Sequence, residues 1–167
     1  SFEPGDMRRG YIYDETQADP KAIWKYLGKG VSDAVSTPSK QNIILIRLAD
    51  IMMLKAEALV KLGGSANISD ALKLLEPIRK RAGVVPNLLT EAQAISMYGS
   101  VENAILHERS IELCYEGHRW FDLVRTGKAI STMQPINGLS DVRNLLWPIS
   151  TSTIDKNPNI VQNDFYK

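Results

Sequence analysis

The stretch Val101–Glu116 (VENAILHERSIELCYE) decides how this chain folds, because its charges fall in the wrong place for a simple surface helix. At steps of about 100° per residue, Val101, Ala104, Ile111 and Tyr115 form one apolar arc, and Leu106 with Leu113 a second. Between the arcs lie Glu108, Arg109, Glu112 and Glu116, while Asn103, His107, Ser110 and Cys114 take the opposite side. Such a helix carries charge inward. On one reading, Glu108 and Glu112 are an acid/base pair one turn apart. On the other, the three glutamates meet Arg109, Arg119, Arg125 or Arg47 in a buried ion-pair network, since buried charge survives only when paired. Geometry favours the network. Carboxylates on one face of one helix point the same way, whereas glycoside hydrolysis needs two that face each other across a bond.

Working outward, Ser100 caps this helix, Gly117 interrupts it near Tyr115, and a short helix follows from Arg119 to Arg125 before Gly127. Upstream, Ile43–Leu62 reads as a helix whose Asp50, Glu57 and Lys61 share one narrow arc, so that it is buried on most sides. Ala49 and Ala56, on one face, permit close approach of a neighbour. Gly63-Gly64 ends it. Ser69 with Asp70 marks the next helix start and Gly83 its end, with a kink expected at Pro77. Residues 84–99 form a connection holding a short helix near 91–97. Four helices in antiparallel pairs give an all-α, α/α helix-pair stack. Residues 1–42, with turn formers and the aromatics Tyr11, Tyr13, Trp24 and Tyr26, read as an irregular lead-in with one or two short strands. Helix pairs occupy 43–126, and 127–167 reads as an irregular tail docked on the helices, with Trp147 as a buried anchor.

The whole chain has 167 residues, enough for one core, and a net charge of +1 with no basic run. Nucleic-acid binding is disfavoured. A single cysteine and two histidines exclude an internal disulfide and most structural zinc sites. No apolar run reaches the roughly 18 residues of a membrane helix, and the first residues do not resemble a signal peptide. The chain reads as a soluble fragment.

Enzymatic motifs are missing. His107-Glu108 begins like a zinc-protease signature, but Ile111 stands where the second histidine belongs. His118 reads as a hydrogen-bonding spacer rather than a catalyst, and Cys114 as a packed side chain rather than a nucleophile. No residue is assigned to catalysis, a cofactor or a metal. Trp24 and Tyr26, with Tyr11 and Tyr13, offer faces for stacking on sugar rings, though aromatics spaced like this more often plug a small core. Trp24 and Tyr26 are the ligand-binding candidates.

Three stretches resemble one family, the SusD/RagB outer-membrane nutrient-binding proteins, in their C-terminal region. They are Arg47-Leu48-Ala49-Asp50 through Ala56-Glu57-Ala58-Leu59 with Ile78-Arg79-Lys80-Arg81-Ala82-Gly83; Ile105–Leu113 continuing from Glu116 to Arg125; and Leu146-Trp147-Pro148-Ile149 with Asn157-Pro158-Asn159-Ile160 and Gln162-Asn163. Gly5-Asp6-Met7-Arg8 and Lys25-Tyr26 are weaker echoes. Ser150, Asp164, Phe165 and Pro77 depart from the family pattern.

The resemblance implies a tetratricopeptide-like fold and non-catalytic, cell-surface binding of glycans or other nutrients. The ligand would pass to a SusC-like TonB-dependent transporter at the extracellular face of the outer membrane. It also implies a membrane link only through a lipid anchor absent from this chain. The matched Glu, Arg and Asp positions then read as scaffold. Two rival readings are a helix-pair protein–protein adaptor with an exposed apolar groove, and a hydrolase using Glu108 and Glu112.

Overall fold

A computed structural model describes residues 2–12, 23–27 and 44–167, without the side chains of Trp24 and Leu27. The described residues form helices α1 (Arg9–Ile12), α2 (Trp24–Leu27), α3 (Leu48–Leu62), α4 (Ser65–Ala82) and α5 (Glu91–Tyr98). These are followed by α6 (Val101–Glu112), α7 (Arg119–Arg125), α8 (Ala129–Asn137) and α9 (Thr151–Lys156). Turns of 3₁₀ helix lie at Val142–Leu145 and Asp164–Tyr166, and no strand occurs among the described residues. The strands expected before residue 43 meet α1 and α2 where the lead-in is described; the rest of it, Tyr13 included, lies outside the described residues.

The chain divides into two compact units, Ser1–Arg119 and Trp120–Lys167. In the first, two helix hairpins make the stack. Gly63 and Gly64, both at positive φ, reverse the chain between α3 and α4 within two residues. So short a link forces an antiparallel pair. Thr90 and Gln93 build a reciprocal capping box at the start of α5. Gly99, at φ 83°, closes α5, and the Ser100 hydroxyl accepts from the Asn103 amide at 3.0 Å to open α6. α3 packs on α4, α5 on α6, and α6 lies across α3. The core is built from Met53 and Ala56 of α3, Leu72, Leu75 and Ile78 of α4, Ala94 of α5 and Ile105 of α6. Ala49, Ala56, Ala71, Ala94 and Ala104 are all buried, and small side chains at these crossings let the axes close up.

Helix limits differ from the sequence reading where tertiary geometry overrides a local signal. α3 begins at Leu48 instead of Ile43, because Arg47 is extended (φ −144°, ψ 164°) and turns its side chain toward α6. α4 begins at Ser65 instead of Ser69: the two glycines alone reverse the chain, so the helix restarts at once and Asn67 bonds back to the Gly63 carbonyl at 2.7 Å. Pro77 lies inside α4, which runs on through it to Ala82. α6 stops at Glu112, and Tyr115 beyond it has φ 65°.

The second unit is less irregular than expected, since α8 and α9 punctuate it. Gln162 accepts from the Ile149 amide (2.9 Å) and donates to the Ile149 carbonyl (2.8 Å), copying a backbone pair, while Asn163 donates to the Trp147 carbonyl at 2.7 Å. The Arg143 guanidinium stacks 4.6 Å above the Phe165 ring. Trp147 is not the buried anchor its apolar neighbours suggested: it is 77% exposed, held by its carbonyl rather than its ring.

Gly83 joins the N-terminal segment to the stack. It terminates α4 in the left-handed region (φ 75°, ψ 14°), and the Met7 amide donates to the Ala82 carbonyl at 2.9 Å. A Cβ there would sit 3.1 Å from Met7 Cε and 3.4 Å from the Gly5 carbonyl. Gly83→Ala is therefore expected to cost about 2 kcal/mol, against about 1 kcal/mol for Gly99→Ala, which shares the left-handed strain without the crowding. Urea titration of the two variants checks the difference; equal losses would contradict the packing role.

Candidate functional site

α6 carries Glu108 and Glu112 on one face, and the turn after it brings Glu116 to the same side. Around them gather cations from four other segments. Arg8, just before α1, grips Asp6 with Nε (2.9 Å) and Nη2 (2.7 Å), and its Nη1 reaches both Glu108 (2.5 Å) and Glu112 (3.2 Å). Arg79 of α4 donates to Glu108 at 3.0 Å, to both oxygens of Glu3 at 2.8 and 3.1 Å, and to the Pro86 carbonyl at 3.1 Å. Arg47 binds Glu112 at 2.6 Å and Glu116 at 2.8 Å, and Arg81 also pairs with Glu112. Lys25 of α2 pairs with Glu116 and donates to the carbonyls of Glu112 (2.7 Å) and Cys114 (2.9 Å). It thus neutralises the partial negative charge at the α6 C-terminus.

Among the described residues the cluster is balanced. Glu3, Asp6, Glu108, Glu112 and Glu116 face Arg8, Lys25, Arg47, Arg79 and Arg81, five charges of each sign. Glu108 is 0% exposed, and the side chains of Glu112 and Glu116 are buried. Burial works to raise the Glu112 carboxyl, but hydrogen bonds from Arg47 and Arg81 hold it below the usual carboxylate range. Glu116 is likewise held down against burial by Arg47 and Lys25, and Glu3 by Arg79 and Tyr98. Burial and the bond to Glu3 push the Tyr98 hydroxyl up to about 12. The arginines stay charged, Arg8, Arg47 and Arg79 being raised despite desolvation by their carboxylate partners.

This arrangement meets the network expectation and corrects its membership. Arg47 joins as expected. Arg109 instead crosses to Asp50 of α3 at 2.8 Å, Arg125 pairs with Asp122 of its own helix at 2.7 Å, and Arg119 donates to the Leu106 carbonyl at 3.3 Å. Arg8, Arg79, Arg81 and Lys25 were not singled out as partners. The signal the sequence offers for them is their place in the family-like stretches Gly5-Asp6-Met7-Arg8, Lys25-Tyr26 and Ile78-Arg79-Lys80-Arg81.

Chemically, the cluster holds charge in place. One nitrogen of Arg8 bridges Glu108 and Glu112, so the two carboxylates converge on a cation. No group of three or more histidine, cysteine or acidic side chains that could hold a metal occurs among the described residues. A surface cavity of about 420 Å³ borders the cluster, walled by Met7, Tyr11 and Ile12 and edged by Arg47 and Arg81. The Arg81 side chain is largely exposed. His107, beside Tyr98 with ring centres 5.0 Å apart, and His118 each bury an Nε2 that has no hydrogen-bond partner among the described residues. Burial raises the Cys114 thiol, which disfavours the thiolate. Tyr26 donates its hydroxyl to the Tyr115 carbonyl at 2.7 Å, and the Trp24 side chain lies outside the described residues.

Comparison with known proteins agrees with the scaffold. The model of the SusD family matches residues 6–166. SusD-like protein P38 of Formosa agariphila is 38% identical over 155 residues, covering 89% of this chain and 29% of the relative. Starch-binding protein SusD of Bacteroides thetaiotaomicron is 32% identical over 148 residues, covering 84% of this chain and 24% of its own length. The solved structure of B. fragilis NanU superposes with a TM-score of 0.64 at 26% identity, covering 99% of this chain and 37% of that one. The chain thus spans about a quarter to a third of the length of these curated relatives.

Removing one member of the cluster strands its partners. Glu108→Ala leaves Arg8 and Arg79 without their shared carboxylate and is expected to cost about 3–5 kcal/mol in chemical denaturation; a loss within about 0.5 kcal/mol, the range of ordinary surface changes, would contradict the network. Acidification gives a second measure. Because the carboxyls of Glu3, Glu112 and Glu116 are lowered on folding, their stabilisation is complete above the reference 4.5 and disappears as pH falls through their folded values. His107, lowered chiefly by burial from 6.5, adds an earlier decline as pH falls below that value. Stability against pH should therefore fall in two stages, a shallow one below about 6.5 that His107→Gln removes and a steep one below about 4.5 that it leaves.

Proposed function

The chain belongs to the SusD family, and on that premise we propose that it works by capture without chemistry. It would form part of a cell-surface protein that binds glycans or another nutrient at the outer membrane and hands them to a SusC-like TonB-dependent transporter. The observation that carries this reading is the engagement of Glu112 by Arg8, Arg47 and Arg81 together, with Glu108 sharing Arg8. A general acid must release its proton near neutral pH and a general base must keep a lone pair free. Glu112, lowered and triply bonded, is poorly suited to both, so the hydrolase alternative loses its residues.

The likeness to a starch-binding protein supports a glycan as ligand class. On this reading the protein is held at the membrane through a lipid anchor. For ligand contact, Trp24 and Tyr26 are the aromatic candidates. The adaptor alternative draws on one feature, the exposed apolar face of α3, and predicts a protein rather than a glycan as ligand.

The test is calorimetric titration of the intact polypeptide with a panel of oligosaccharides, paired with a reducing-end assay. Saturable binding with no new reducing ends is expected, together with co-purification of a TonB-dependent transporter from outer membranes. Trp24→Ala should weaken glycan affinity by up to about tenfold, the order expected for one stacked ring. Cleaved product that disappears in Glu112→Gln would establish the hydrolase instead, and binding of no glycan in the panel would count against a carbohydrate ligand.

A further inference from the structure

Asn137-Gly138 ends α8, and no other asparagine of the chain is followed by glycine. An asparagine side-chain amide can be attacked by the backbone nitrogen of the next residue. Glycine, without a Cβ, leaves that approach open, whereas Leu145 after Asn144 and Ile160 after Asn159 crowd it. The structure supplies the other requirements. Asn137 and Gly138 are both exposed to water. The Leu139 amide donates to Asn137 Oδ1 at 3.2 Å, so it polarises the side-chain carbonyl and stands where charge would gather on that oxygen during attack. Asn137 Nδ2, the group that must leave, has no hydrogen-bond partner among the described residues. One bond holds the reaction back. The Gly138 amide donates to the Gln134 carbonyl at 2.9 Å and closes α8, with Gly138 in the left-handed region (φ 77°, ψ 10°). While that bond stands, the attacking nitrogen is committed to the helix. The turn that makes it is weak, because Pro135 lies inside it and has no N–H to give the Ser131 carbonyl. Residues 134–138 are all exposed, so little side-chain burial holds this turn closed.

We propose that Asn137-Gly138 is a self-modification site, a deamidation switch released when the last turn of α8 opens. The Gly138 nitrogen gives up its proton to hydroxide and bonds to Asn137 Cγ, placing negative charge on Oδ1. Collapse of that oxyanion breaks the Cγ–Nδ2 bond, and the amide leaves as ammonia with a proton from water, which restores the hydroxide. The remaining succinimide takes up one water, whose OH adds to either carbonyl while its hydrogen returns to the Gly138 nitrogen. The product is aspartate or isoaspartate. Either puts a carboxylate at the C-terminus of α8, where the last carbonyls are already partly negative and Asp141 stands close in sequence. Isoaspartate also adds a methylene to the backbone, so the Gly138 amide no longer meets the Gln134 carbonyl in register. Loss of ammonia makes the change one-way: a converted chain carries a shortened α8.

The test follows the intact polypeptide in mildly alkaline buffer, with peptide mapping by mass spectrometry that separates aspartate from isoaspartate. Asn137 should convert to both products roughly tenfold or more faster than the exposed Asn159 in the same sample. The rate should rise again in urea, which opens α8, and the Gly138 amide of the converted fraction should lose its protection from hydrogen exchange. Pro135→Ala restores the missing donor and should slow the native reaction several-fold while leaving the rate in urea unchanged. Conversion of Asn137 no faster than that of Asn159 overturns the site. Equal rates in buffer and in urea, a native rate that Pro135→Ala does not change, or a converted chain that keeps the Gly138 protection overturns the switch.

Discussion

The first unit depends on the neutralisation of charge that α6 carries into it. Three glutamates beside buried aliphatic side chains would be unsustainable alone, because a desolvated carboxylate costs several kcal/mol even after relaxation. Their partners come from before α1, from α2, from the residue before α3 and from the end of α4. Each guanidinium therefore ties a distant stretch of chain to one helix. Geometry follows from the need for pairing: Arg47 is extended so that it can reach α6, and the Met7 amide closes on Ala82 next to the α4 arginines.

That interaction also bears on what Glu108 and Glu112 can do. A general acid or base keeps a proton or lone pair free for a reactant, and here Glu108 and Glu112 are both taken up by guanidinium nitrogens. An ion-pair lattice of this sort contributes specificity of arrangement more than net stability, since its Coulombic gain is set against desolvation on both sides. Arginine suits the role because its planar fork satisfies several oxygens at once, as Arg79 does for Glu3 and Glu108. Membership of the SusD family and the saturation of Glu108 and Glu112 are independent observations.

Much of this was legible in the residues. The all-α class, the pairing of helices, the inward charge of Val101–Glu116 and the role of Arg47 follow from periodicity, glycine placement and the cost of buried charge. The cap at Ser100 is short-range chemistry and falls where the pattern puts it. Limits were less legible where a side chain or turn acts over a distance: Ser69 looks like a cap, yet Gly63-Gly64 settles where α4 begins. The tail misled in another way. Trp147 sits among apolar neighbours that suggest burial, but Gln162 and Asn163 hold that stretch through its backbone and leave the ring outside.

The sequence by itself determined that the chain is helical, that α6 bears charge toward the core, and that no familiar catalytic constellation is present, because these depend on periodicity and on residue types at fixed spacing. Only the tertiary structure decided which cation meets which carboxylate, that Arg109 crosses to Asp50 rather than joining the glutamates, and that α3 buries Asp50 and Glu57 while Leu48 and Leu62 stay exposed. A helical wheel gives the angle between side chains on one helix. It carries no information about which neighbour stands on each side, and pairing partners separated by a hundred residues are chosen by the packing of the stack.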